Sequence, residues 1–221
     1  MSTRYFVILG FVFLFQRSEA QFTYGVDASI GAGLVDVENT NSILSFKERP
    51  GLSSSTGFCA SYFFRKYEDL CLSSGLKISY IIGQFKYDDE DFAAYNISNF
   101  RSMNSSVFIG LPLLIGYRSN KFSIETGLET SYNLYQQTKS TWIETIRSTN
   151  RFTSQKEEVE LKNNFLLSTN TSCEYRVMDR LGLRLTINVG LTDYLKQEWP
   201  TLNPDFKSRV NSALIGLRYH L

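Results

Sequence analysis

Apolar and polar residues alternate most regularly between Val107 and Leu134. On the first arm Val107, Ile109, Leu111, Leu113, Ile115 and Tyr117 take every second position. On the second arm Phe122, Ile124, Thr126, Leu128, Thr130, Tyr132 and Leu134 do the same. Period two is the signature of a β-strand. Only Arg118, Ser119, Asn120 and Lys121 separate the arms, and the other row of the second arm reads Ser123, Glu125, Gly127, Glu129, Ser131, Asn133. The stretch is a hairpin with one greasy and one wet face.

The same pattern recurs along the chain. A first strand, 22–34, sets Phe22, Tyr24, Val26, Ala28, Ile30, Ala32 and Leu34 against Thr23, Gly25, Asp27, Ser29, Gly31 and Gly33. A second, about 53–65, and a third, about 71–84, flank a tight turn at Lys66-Tyr67-Glu68-Asp69. The hairpin supplies the fourth and fifth. The sixth begins near Leu161, the seventh runs from Leu181 to Leu191, and a turn at Val177-Met178-Asp179-Arg180 lies between them; the last runs from about Arg209 to Leu221. Polar stretches without period, 35–51, 85–104, 136–159 and 195–207, read as loops. The count is eight strands joined alternately by long loops and short turns.

That alternation of connections is the phase of an outer-membrane barrel, whose short turns and chain ends face the periplasm and whose long loops face outward. Aromatic residues sort by height in the same sense: Phe64, Tyr117, Phe122, Tyr175 and Tyr219 near the turns, Tyr80, Tyr132 and Tyr135 near the loops. Two aromatic girdles are expected at the two membrane interfaces. A soluble lipocalin-like barrel also has eight strands, with its apolar row turned inward around a ligand. The loop phase, the girdles and the last strand, apolar at every second position to Tyr219 and Leu221, favour the membrane form. The expected fold is therefore all-β: an eight-stranded antiparallel up-and-down transmembrane β-barrel with short periplasmic turns and long extracellular loops.

Charge placement follows. A Lys or Arg facing lipid at mid-depth costs about 2–4 kcal/mol, and the apolar rows contain none. The opposite rows hold Asp27, Lys77, Glu125, Glu129, Lys162, Glu174, Arg176, Arg184 and Arg218. Eight strands enclose a space that side chains can fill, so these nine residues are the candidate lumen charge network, paired and closing the barrel. Leu128→Arg is expected to lower folded yield far more than Glu129→Arg. Pro112 lacks an amide donor, and a bulge or a missing ladder bond is expected there.

The chain opens with Arg4, an apolar run from Tyr5 to Phe15, and small residues at Ser18 and Ala20. This reads as a signal peptide, 1–20, ahead of a barrel domain, 21–221. The run is too short to span a bilayer and no apolar stretch elsewhere approaches 18 residues, so any crossing is made by strands. Removing 1–20 leaves 21 basic and 21 acidic residues. Nothing in that balance points to a nucleic-acid partner. Cys59, Cys71 and Cys173 form no close pair and are expected as free thiols acting as small packing residues.

With its eight strands, a leader ending Glu19-Ala20 before Gln21, and a fourth strand reading Ile109-Gly110-Leu111-Pro112-Leu113-Leu114-Ile115-Gly116-Tyr117, the chain resembles the PorT-like outer-membrane β-barrel family of the Bacteroidetes. That family often carries a Leu-or-Ile-Pro-Leu-Leu segment at this place. The last strand also resembles the C-terminal pattern by which outer-membrane proteins are recognised for assembly, which usually ends in an aromatic residue where this chain has Leu221. The resemblance implies an outer-membrane location; relatives include small barrels linked to protein secretion and gliding. The wider eight-stranded class, typified by the membrane domains of OmpA and OmpX, serves envelope integrity, adhesion or defence.

Catalytic chemistry finds little footing. The sole histidine, His220, stands on the lumen row beside the chain end, and a hydrolase site needs nucleophile, base and orienting acid together. No enzymatic activity, cofactor or metal is expected. Glu125 and Glu129 lie about 13 Å apart along one strand, too far to share a proton. The acidic run Asp88 to Asp91 lacks EF-hand spacing. The acceptor patterns at Asn96, Asn104 and Asn170 matter only in a eukaryotic secretory route. The function expected is a structural, envelope or interaction role, with a narrow porin or a secretion- or gliding-associated component as the alternative. Expected partners are outer-membrane lipid, the outer-membrane assembly machinery, and an extracellular or secretion-system protein met through loops 35–51, 85–104, 136–159 and 195–207.

Overall fold

The computed structural model describes residues 22–38, 46–64, 67–87, 97–146, 149–157, 164–194 and 207–221. Within them run nine strands: β1 (Phe22–Glu38), β2 (Phe46–Phe64), β3 (Tyr67–Tyr87), β4 (Ile97–Arg118), β5 (Phe122–Ile146), β6 (Thr149–Glu157), β7 (Phe165–Met178), β8 (Leu181–Gly190) and β9 (Lys207–His220). Eight close into an antiparallel barrel in the order β1-β2-β3-β4-β5-β7-β8-β9. The seam is the β1–β9 pairing, which runs from Gly25↔His220 to Glu38↔Lys207. β6 is not a stave; it pairs with the far end of β5, from Thr138↔Glu157 to Ile146↔Thr149.

The barrel is inside out relative to a soluble protein. Its exposed surface carries the apolar rows, among them Val26, Ile30, Leu76, Ile78, Leu111, Leu113, Ile115, Leu128, Leu185, Ile187, Ile215 and Leu217, while Glu125, Glu129, Glu174, Arg184 and Arg218 are buried. Only an apolar solvent around the barrel makes that arrangement favourable. The turn-side aromatics Phe64, Tyr117, Phe122, Tyr175 and Tyr219 are all exposed, as are Tyr132 and Tyr135 at the other end.

The sequence pattern assigns 35–51, 85–104 and 136–159 to loops, and here the structure corrects it. β1 continues to Glu38, β2 starts at Phe46, β3 continues to Tyr87, β4 starts at Ile97, and β5 and β6 fill most of 136–159. Above the lipid there is no apolar medium, so neither face of a strand needs an apolar row and the period fades while backbone pairing persists. The stretch 195–206 lies outside the described residues. The turns are also shorter than anticipated: Phe64 pairs with Tyr67 and Met178 with Leu181, so each pair encloses two residues.

Among the described residues five register shifts interrupt the ladders: two lie at the turns, between Phe63 and Phe64 and between Arg176 and Met178, and three are bulges that adjust the rows further along the staves. Two β2 residues, Gly51 and Leu52, stand opposite Ile82 alone. A Cβ at Gly51 would sit 2.0 Å from the Ile82 carbonyl oxygen, so the bulge accepts only glycine. On β5, Val107↔Tyr135 is followed by Phe108↔Asn133, which leaves Leu134 as the extra residue. Leu134 and Tyr135 consequently both face outward, whereas strict alternation would turn Tyr135 into the lumen. On β4, Asn99 and Phe100 oppose Trp142, and Asn99 takes a φ of 54°, a conformation asparagine tolerates.

At Pro112 the two ladders differ. Pairing with β5 runs in register through Pro112↔Glu129. Pairing with β3 passes from Ser74↔Leu113 to Lys77↔Gly110 without a partner for Leu111 or Pro112. The expected defect is therefore a gap in one ladder rather than a bulge, and the Ser74 hydroxyl bridges it by donating to the Pro112 carbonyl at 2.9 Å. Cys59 lies opposite Gly75 and Cys71 opposite Phe63, four rungs apart, and all three cysteines are free.

Candidate functional site

Seven of the nine expected network residues converge in the lumen: Asp27 from β1, Lys77 from β3, Glu125 and Glu129 from β5, Glu174 from β7, Arg184 from β8 and Arg218 from β9. Arg176 follows Glu174 on the same row but joins no ion pair among the described residues. Lys162 lies outside the described residues. Space for these long side chains comes from small residues on neighbouring staves. A Cβ at Gly182 would come within 2.4 Å of Glu174 Oε1, and one at Gly116 within 2.8 Å of Glu125 Cγ.

Glu125 is the hub, 2% exposed. Its Oε2 receives Arg184 Nη2 at 2.9 Å and Arg218 Nη1 at 3.3 Å, and its Oε1 accepts from the Ser73 hydroxyl at 2.8 Å. Arg218 reaches Asp27 Oδ2 at 3.3 Å and Glu174 Oε2 at 3.4 Å, and Arg184 lies 3.9 Å from the same Asp27 oxygen. Two arginines are thus held among three carboxylates contributed by β1, β5 and β7. One level higher, Lys77 Nζ donates to Glu129 Oε2 at 2.5 Å, and Asn170 Nδ2 donates to the same atom at 2.7 Å. The two glutamates of β5 therefore serve separate ion-pair groups. A paired cluster of this kind avoids the large penalty that a lone buried charge carries.

Two further groups extend the network toward the turns. Arg118, read from sequence as a turn residue, turns inward: its guanidinium stacks 4.7 Å from the Phe63 ring centroid and donates to Thr23 Oγ1 at 3.3 Å. His220 Nε2 and Glu174 Oε1 are 2.6 Å apart. Glu174 also binds Arg218, so His220 stands at the end of a chain of contacts that runs through Glu174 to Arg218.

The outer half of the lumen is closed differently. Phe108, Ile81, Leu214 and Val35 point inward and are buried. Above them Tyr194, which follows β8 and is 1% exposed, folds back into the barrel. Its backbone amide donates to the Ser208 carbonyl at 2.8 Å, its hydroxyl contacts Ser106 and accepts from Asn133 Nδ2 at 3.3 Å, and its ring lies 5.6 Å from that of Phe108. Sequence reasoning missed this residue because it lies past the end of an alternating run, where periodicity carries no information. Two small cavities of about 40 Å³ each lie between described lumen residues. One lies among Asp27, Lys77, Glu125, Arg184 and Arg218, the other among Ile81, Phe108, Glu129, Asn188 and Leu214.

A closed barrel with an apolar exterior, a charged and filled interior, and aromatic residues at both rims is a membrane-spanning barrel of the outer-membrane class. The chain belongs to the family described as outer membrane protein beta-barrel domain, whose model matches residues 15–196. It is a small outer-membrane envelope protein. No curated protein sequence matches the chain. Among solved structures, it is similar to a major outer membrane protein of Thermus thermophilus (13% identical, covering 91% of this chain and 100% of that one, TM-score 0.49). It is similar to OprG of Pseudomonas aeruginosa (11%, 91% and 95%, TM-score 0.41). It is also similar to Ail, the attachment invasion locus protein of Yersinia pestis (12%, 89% and 98%, TM-score 0.39).

Proposed function

We propose that this protein is a non-conducting structural or interaction barrel of the outer membrane. In this reading its lumen network is a plug and its extracellular strands carry whatever contact it makes. Residues 1–20 then serve as the export signal, and the PorT-like resemblance of the Ile109–Tyr117 segment supports reading the protein as one of the small barrels of the Bacteroidetes envelope. No enzymatic step is assigned to it. The observation that carries the reading is the filled lumen: the Asp27–Arg218–Glu125–Arg184 cluster spans the turn-side half, Tyr194 and Phe108 close the other, and the cavities between them hold about 40 Å³ each, room for a few water molecules.

Planar-bilayer recording tests it. Purified protein, shown to be folded by its heat-modifiable migration on a gel, should insert without producing discrete current steps. Steady, reproducible single-channel openings from the folded fraction would instead establish a narrow pore.

A further inference from the structure

The four strands β2 to β5, with β6 beside them, carry their outward-facing row well beyond the lipid. At the level of Tyr80↔Val107↔Tyr135 that row is aromatic and apolar. Two outward positions further on, the aligned residues are Arg49↔Gln84, Gln84↔Met103, Met103↔Lys139 and Lys139↔Lys156. The next outward rung pairs Lys86 with Arg101. Five cations, Arg49, Lys86, Arg101, Lys139 and Lys156, thus share one face on five adjacent strands. Among the described residues, that face carries no acidic side chain above the tyrosines, and none of the five forms an ion pair.

Arg49, Lys86, Arg101 and Lys139, with Gln84, Met103 and Thr141, line a depression of about 240 Å³, six times the volume of either lumen cavity. On the barrel's opposite side, among the described residues, the cation Arg209 on the β9 edge of the seam lies opposite the carboxylate-bearing Asp36.

Height and direction identify the occupant. Tyr80 and Gln84 are four residues apart, about 13 Å along the strand, or roughly 10 Å of height after the usual barrel tilt. Headgroups extend about 5–8 Å beyond the hydrocarbon, and lysine and arginine stems reach several ångströms back toward it. The row also faces away from the lumen, continuing the surface that meets lipid. A soluble ligand entering from above would be met at the strand tips instead.

We propose that this belt is a binding site for the phosphate groups of outer-leaflet lipid headgroups. Several cations around one depression suit a doubly charged phosphate, each contributing charge-assisted hydrogen bonds. The site fixes the barrel's height in the membrane and selects phosphorylated lipid for its boundary on one side only. It is independent of whether the lumen conducts.

The full mature barrel, reconstituted in phosphatidylcholine vesicles, provides the test. Energy transfer from its tryptophans to acyl-labelled phosphatidic acid is compared with transfer to the matching labelled phosphatidylcholine. The wild type should favour phosphatidic acid. Each of Arg49→Gln, Lys86→Gln, Arg101→Gln and Lys139→Gln should weaken that preference by up to about fivefold, and the quadruple variant should abolish it. Arg151→Gln, on the opposite row, should leave it unchanged. All five positions lie on the strand extensions beyond the lipid and outside the lumen charge cluster, and heat-modifiable migration confirms folding of each variant. Equal transfer to both lipids, a preference that survives the quadruple change, or one lost in Arg151→Gln would overturn the proposal. In a second arm, inorganic phosphate and heparin are added to wild type in phosphatidylcholine alone. Binding of either, dependent on the same four residues and unaccompanied by a lipid preference, would assign the belt to a soluble anion and overturn the lipid site.

Discussion

At Leu128 and Glu129 one step along β5 moves a side chain from lipid to the packed interior. Leu128 is 48% exposed on the outside, and Glu129 is 4% exposed inside. A guanidinium at position 128 would face hydrocarbon at a cost of about 2–4 kcal/mol, so Leu128→Arg should lose most of its folded yield in vesicles. The comparison with Glu129→Arg needs revision, because Glu129 holds Lys77 at 2.5 Å and an arginine there would bring two cations together. Glu129→Gln keeps the shape and the Asn170 contact but leaves Lys77 without its carboxylate, so its yield should fall below wild type and stay above that of Glu129→Arg. Removing the hub carboxylate is harsher: Glu125→Ala leaves Arg184 and Arg218 with less than their full charge complement. It should reduce unfolding free energy in urea titrations of the lipid-embedded barrel by about 3–5 kcal/mol. Which residues of the lipid-embedded staves point inward was legible in the sequence, since the pleat fixes it, whereas Arg118 and Tyr194, at the ends of alternating runs, were not. Which inward residues meet was not, because Asp27 and Arg218 are 191 positions apart and are joined only when the seam closes.

At the scale of elements, the staves within the lipid were readable and their extensions were not. The apolar row exists because hydrocarbon surrounds it, so the period marks the span where lipid touches the strand and stops where water begins. The bulge at Leu134 and Tyr135 sits near that border, where strict alternation would have sent Tyr135 inward. The β5–β6 hairpin above it illustrates the same limit. Its strands pair with each other from Thr138 to Glu157, and the contacts that close the barrel lie below, between β5 and β7 from Phe122↔Tyr175 to Tyr132↔Phe165. Replacing residues 141–154 by an Asn-Gly turn between the paired Ser140 and Gln155 supplies a tight hairpin connection. The shortened protein should still show heat-modifiable migration, with a thermal midpoint within a few degrees of wild type. Loss of folding would mean that the hairpin supports the barrel rather than extending it.

For the whole molecule, closure of β9 on β1 and inversion of the usual burial pattern are one fact. Eight staves with an apolar exterior must put their polar rows into a space just wide enough for side chains, and the charges then find their partners in one another and in the polar side chains beside them. The filled lumen and the outward basic belt both depend on which row faces lipid. Spin labels placed one at a time from Phe122 to Gln136, in a cysteine-free background, measure that row directly. Accessibility to lipid-soluble oxygen should peak at 122, 124, 126, 128, 130, 132 and 134, stay high at 135 where the bulge breaks the alternation, and fall at 136. Peaks at the odd positions between 123 and 133 would contradict the account.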